Sequence, residues 1–180
     1  MIYKLSVLSK TKSMKLLRYI CVIIIFTSIT ACGVYSFTGG DTGDAKTFQV
    51  NFFQNNAPLI EPQLDFEFTN ALQDLMQNQT NLSLVNSGGD LVFEGEIVEY
   101  RISPTTATAN NGAAQNRLTI SVNVKYYNNL VEEKNFEERF SFFFDYEGSE
   151  LLTGGQRDTA WEAIFERITQ DIFQRALADW

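Results

Sequence analysis

From residue 47 onward the hydrophobic positions change period several times, and each change marks an element. Phe48, Val50 and Phe52 alternate with polar neighbours, which predicts a first strand over about 46–53. Asn55-Asn56-Ala57-Pro58 breaks it. After Pro62, the residues Leu64, Phe68, Leu72 and Leu75 recur at spacings of four, four and three, the one-sided stripe of a helix over about 62–78. Leu82, Leu84 and Val85 predict a short strand that stops at the turn Ser87-Gly88-Gly89-Asp90.

A long strand follows over 91–103. Leu91, Phe93 and Ile97 share one phase while Val98, Tyr100 and Ile102 share the other, so the strand is expected to shift its inward face near Ile97 through a bulge. Residues 104–115 are small and polar, a loop between two long strands. Leu118, Ile120, Val122, Val124 and Tyr126 then alternate against Arg117, Thr119, Ser121, Asn123 and Lys125, giving one core face and one wet or ligand-facing face. Phe136, Phe140, Phe142, Phe144 and Tyr146 continue in phase, which extends an antiparallel meander. Trp161, Ile164, Phe165, Ile168, Ile172 and Ala176 trace a last helix running almost to Trp180. These elements predict an α+β two-layer sandwich, with two helices packed on one face of a mainly antiparallel four- to five-stranded sheet.

The residues before this domain follow a different logic. Lys4, Lys10, Lys12, Lys15 and Arg18 precede the apolar run from Tyr19 to Phe26, and small and polar residues follow up to Ala31, the layout of a secretory signal. The run is shorter than the roughly 20 apolar residues of a spanning helix. Ile29-Thr30-Ala31-Cys32 resembles a bacterial lipobox, which implies cleavage after residue 31 and acylation of Cys32. A thioether-linked diacylglycerol and an amide-linked chain would anchor the protein stably, at about 0.8 kcal/mol per buried methylene. The expected organisation is a signal peptide over 1–31, a lipidated flexible tether over 32–46 and a single domain over 47–180.

Composition narrows the chemistry. Cys21 leaves with the signal and Cys32 is consumed by lipid, so the mature chain has no thiol pair for a disulfide. The sequence contains no His, which removes the common zinc sites and the Ser-His-Asp and Cys-His arrangements. All five signal charges are positive, so cleavage moves the net charge from −8 to −13. No nucleic acid partner, cofactor, metal or enzymatic turnover is expected of such a chain.

Several segments carry a family resemblance: Cys32-Gly33-Val34-Tyr35-Ser36-Phe37-Thr38-Gly39, Asn55-Asn56-Ala57-Pro58-Leu59, Gly89-Asp90-Leu91 leading to Phe93-Glu94-Gly95, Asn116-Arg117-Leu118-Thr119-Ile120, and Asp171-Ile172-Phe173 to Trp180. Together they resemble the LptE-like lipopolysaccharide-assembly lipoproteins over nearly the whole mature chain. The resemblance implies an outer-membrane lipoprotein that plugs an LptD-like β-barrel and helps it assemble and deliver lipopolysaccharide. It also implies helices packed on a small mixed sheet. Gly33 rather than Asp after the lipidated Cys fits the inner leaflet of the outer membrane, facing the periplasm. Other readings of the residues are a free lipid- or glycan-binding lipoprotein and a pilot lipoprotein for another outer-membrane channel.

Candidate contacts with lipopolysaccharide or a partner are Arg117 and Lys125, on the outward phase of one strand, and Arg101 on its neighbour. Three cations in an acidic chain suit a local phosphate site; the alternative is cross-strand pairing with Glu94, Glu96, Glu99 or Glu137. Glu94, Glu96 and Glu99 read as a solvated strand face rather than an acid–base pair, since nothing in the sequence builds a pocket that would separate their pKa values. Phe143 alone among its neighbours points outward, towards a partner.

Overall fold

A computed structural model describes residues 40–105, 115–148 and 151–178. The signal region, Cys32, the first part of the expected tether and most of the 104–115 loop lie outside them. The elements are β1 (Thr47–Val50), β2 (Gln54–Asn55), α1 (Leu64–Gln79), β3 (Ser83–Leu84), β4 (Leu91–Pro104), β5 (Gln115–Asn128), a single 3-10 turn (Glu132–Lys134), β6 (Phe136–Glu147) and α2 (Gly154–Leu177).

The strands order as β3-β1-β4-β5-β6, with β2 also paired to β4. β4, β5 and β6 form the expected antiparallel meander, but β1 pairs parallel with both β3 and β4, and β2 pairs parallel with β4. The long pairings are antiparallel as expected, but the short parallel ones make the sheet mixed, and it has six strands where four or five were expected. The cause is the helix: α1 carries the chain back along the sheet, and strands joined by such a crossover lie parallel. At two residues each, β2 and β3 are too short to show a period.

β1 and β2 are one strand with an interruption. Phe48 and Val50 are in register with Leu91 and Phe93, and Gln54 and Asn55 with Glu96 and Ile97. At the break, Asn51 N–H donates to the Phe93 carbonyl (2.8 Å) and Phe53 N–H to Thr69 Oγ1 of α1 (3.2 Å), so these two amides keep partners where the ladder is interrupted. The break turns Phe53 into the core, where its ring meets Phe68 edge-on at 5.2 Å, and Phe68 in turn meets Phe165 of α2 at 5.5 Å.

The expected bulge is present, with the β4–β5 register shifting between Ile97 and Glu99. On either side of it, Leu91, Phe93 and Ile97, then Tyr100, are buried. The buried stripe of α1 is Leu64, Phe68, Leu72 and Met76. Leu75, expected in that stripe, is half-buried at its margin, because a spacing of four drifts slowly round a helix of 3.6 residues per turn. Both helices cover one face of the sheet, α1 against β1 to β3 and α2 against β5 and β6.

Gly95 is required by this packing. A Cβ there would collide with the Asn123 carbonyl of β5 and with the Phe53 ring.

The chain approaches β1 along the domain. Asp41 N–H donates to the Leu177 carbonyl (2.6 Å), and Ala45 is buried. The Asp90 carboxylate accepts Lys46 N–H (2.9 Å), Thr47 N–H (3.0 Å) and Thr47 Oγ1–H (2.9 Å). These bonds, with the Lys46 amide foremost, hold Asp90 below the usual carboxylate range. Residues 40–46, read from sequence as the end of a flexible tether, are thus fastened to the domain through groups that composition does not reveal.

Candidate functional site on the open face of the sheet

The face turned away from the helices carries the polar phase of every strand. The bulge matters here: by inserting Val98 it keeps Glu94, Glu96, Glu99 and Arg101 all on this open face, despite the odd step between 96 and 99. A strict alternation would have driven Glu99 and Arg101 into the core.

Two arrangements occupy the face. Near its middle, Glu99 accepts from Arg101 Nε (2.8 Å), Ser121 Oγ (2.7 Å) and Arg139 Nη2 (2.7 Å), and Ser121 also bonds Ser141 (2.9 Å). The Arg101 and Ser121 bonds lower the Glu99 pKa, so it stays ionised at neutral pH. Beside this group, Arg117 makes a two-bond fork with Asp145 (2.7 and 2.8 Å) and lies 3.6 Å over the Phe143 ring. Each partner stabilises the other's charge: Asp145 is lowered by Arg117 and Arg117 raised by Asp145. Within this group three arginines meet two carboxylates, and Glu96 lies in the same register row as Arg139 on this face.

The second arrangement is a groove of about 440 Å³ towards β1 and β2, lined by Asn51, Phe52, Gln54, Asn56, Glu94, Glu96, Asn123, Lys125 and Glu137. Asn51 Nδ2 donates to Glu94 (3.2 Å), Asn56 Nδ2 to Glu96 (2.6 Å) and Tyr127 O–H to Glu94 (3.2 Å). Lys125 sits 3.7 Å from Glu137. A larger cleft of about 860 Å³ runs between the two helices, with Glu67, Asp74, Asp158, Glu162 and Glu166 along it. Among the described residues no cluster of three or more metal-ligating side chains occurs.

The three cations singled out from the sequence do not converge. Arg101 faces Thr119, two residues from Arg117, but Lys125 lies eight residues beyond Arg117 on β5, roughly 27 Å at 3.4 Å per residue. Each has a carboxylate partner: Glu99, Asp145 and Glu137 respectively. Arg139, not singled out, joins the cluster instead. Its outward phase on β6 was readable; that it would lie within reach of Glu99 depended on the β5–β6 register. Phe143 does point outward and is 43% exposed, with Arg117 stacked on it.

The resembling segments serve identifiable purposes. Asn55 Oδ1 accepts Ala57 N–H (3.1 Å) and its Nδ2 donates to the Glu61 carbonyl (3.3 Å), which closes the turn before α1. Gly89-Asp90 clamps the start of β1, and Asn116 Nδ2 donates to the Gly148 carbonyl (3.0 Å) across the end of the meander.

Fold and face define a two-layer α+β protein that shields one side of its sheet with helices and presents the other as a charged, hydrogen-bonding surface. The chain belongs to the LptE family of lipopolysaccharide assembly, whose sequence model matches residues 45–176. Among solved structures, the hypothetical protein CT253 from Chlamydia trachomatis shares the fold, with a TM-score of 0.51 at 10% identity over 75% of this chain and 99% of that one. The rare lipoprotein B from Shewanella oneidensis aligns with a TM-score of 0.46 at 12% identity, over 71% of this chain and 89% of that one. No curated protein matches the chain in sequence.

Proposed function

We propose that this chain is a non-catalytic subunit of an outer-membrane lipopolysaccharide translocon: processed after residue 31, lipidated on Cys32, and seated in an LptD-like β-barrel that it plugs and helps to assemble. The observation that carries this reading is the open sheet face. It is long and crossed by ion pairs and amides, and neither of the described helices covers it, while the opposite face is closed. A barrel lumen is lined by polar side chains, and a surface of paired charges and amides can exchange hydrogen bonds with such a wall without stranding a buried apolar patch. Membership of a lipopolysaccharide-assembly family supports the same role. The arginine cluster is the part of the face suited to an anionic group on lipopolysaccharide or on the barrel wall, because Arg101 and Arg139 share one carboxylate.

The test is purification of a carboxy-terminally tagged chain from mildly solubilised membranes, with mass spectrometry of what remains bound. Recovery of a large LptD-like barrel near one-to-one is expected. Recovery of the chain alone, where a control barrel complex survives, overturns the plug role.

A further inference from the structure

The chain enters the described domain at one end of the sandwich. Asp41 bonds Leu177, the last residue of α2, and its carboxylate lies 3.5 Å from Lys134. The same β5–β6 connection carries Leu130, 50% exposed, and Val131, 42% exposed. These side chains are held out by construction. Asn128 Oδ1 accepts the N–H of both (3.0 and 2.8 Å), and Asn135 Oδ1 accepts the Asn128 N–H (2.7 Å). Leu84 is exposed at this end too, since Phe48 is in register with both Leu84 and Leu91, and Leu91 with Asn128. The opposite end is marked by Arg157, in the first turn of α2, which meets Glu61; twenty residues of helix, about 30 Å, separate it from Leu177.

We propose that the Leu130–Val131 end rests on a lipid surface, the bilayer that holds the acyl chains of Cys32. This deepens the reading of Cys32 as the lipidated residue and depends on it. Eight peptide units join Cys32 to Gly40, a reach of at most about 29 Å. The anchor therefore keeps this end, and not the Glu61 end, at high effective concentration near the bilayer. Three apolar side chains bind a membrane only marginally by themselves, but a tethered end needs no more. The charges fix the kind of surface. Asp41, Asp44, Glu132 and Glu133 outnumber Lys46 and Lys134 here, so the contact is apolar and suits zwitterionic headgroups; an anionic surface repels it.

The experiment uses the full chain, produced with its signal and reconstituted in phosphatidylcholine vesicles whose acyl chains carry a bromine quencher. Leu130→Cys places a thiol for an environment-sensitive fluorophore in a mature chain whose remaining Cys is acylated, and Ile60→Cys, at a position 73% exposed near Glu61, is the reference. The label at 130 should be quenched about twofold or more over the label at 60, with the difference shrinking when phosphatidylglycerol replaces part of the lipid. Equal quenching in protein whose amino-terminal peptide mass shows the acyl chains overturns the docking and leaves lipidation standing. A peptide without acyl chains overturns both. Protection of the label at 130 only when a barrel co-purifies assigns this end to a barrel rim and overturns the lipid contact.

Discussion

The two faces of this sheet are built by the same strands, residue by alternate residue, and they are held by different physics. On the covered face Leu118, Ile120, Val122, Val124 and Tyr126 of β5 are all fully buried, and burial pushes the Tyr126 hydroxyl up to about 12. On the open face Arg117, Ser121 and Lys125 of the same strand end in hydrogen bonds and ion pairs in contact with water. Stability should come from the first face and recognition from the second. Exposed pairs of the second kind contribute little to folding, about 0–1 kcal/mol each, so their number calls for a role other than stability.

The largest effect should come from the covered face. Phe68 joins the β1–β2 break, α1 and α2 through its contacts with Phe53 and Phe165, and Phe68→Ala should cost about 3–5 kcal/mol in urea unfolding. A loss under about 1 kcal/mol would mean the helices do not rely on this contact.

Next comes the plane between the faces. Gly95→Ala forces a methyl into the Asn123 carbonyl and the Phe53 ring, a strain of about 1–3 kcal/mol. Gly155→Ala in α2, where a Cβ meets nothing within 4 Å, is the control and should leave unfolding unchanged or slightly improved. Equal behaviour of the two would remove the tight β4–β5 approach as a constraint.

Asp90 gives a smaller effect with a pH signature. Its folded pKa lies below 3.8, so its contribution is complete above that value and fades as pH falls through the folded pKa. Asp90→Ala should lower the melting temperature at pH 6, and the gap from the parent should close below pH 3.8. A gap that stays constant down to pH 2.5 would show that the carboxylate charge is not what holds Lys46 and Thr47.

The two helices and the long strands β4 to β6 were legible in the sequence because each is long enough to show a period; even the face shift in β4 could be read from Ile97 and Val98. Parallel pairing was not, since a period of two is the same in parallel and antiparallel strands. The site was legible in its phases and illegible in its distances. Arg117 and Lys125 share a face by alternation, but alternation says nothing of the roughly 27 Å between them. The approach of Arg139 to Glu99 depends on a register that a bulge displaced by one residue. The docking of residues 40–46 was hidden for another reason: it uses backbone amides and one carboxylate 43 or 44 residues away.

The smallest effect on folding is expected at Glu99, and it is the one that tests the division between the faces most directly. Glu99→Gln keeps the side chain's size and an acceptor for Ser121 while removing the charge shared by Arg101 and Arg139. Since the pair is largely solvated, stability at pH 7 should change by about 1 kcal/mol or less. The parent's small advantage should vanish as pH falls through the lowered Glu99 pKa, below 4.5, where its carboxylate takes up a proton. The same substitution leaves Arg101 and Arg139 without the carboxylate they share, so recovery of the proposed barrel partner should change although the fold does not. If Glu99→Gln instead unfolds the protein as readily as Phe68→Ala, the arginine cluster is a structural brace and the open face loses its claim to be the presented surface. If neither unfolding nor barrel recovery moves, recognition belongs to the groove between Gln54 and Lys125, where Asn123 and Glu137 become the residues to change.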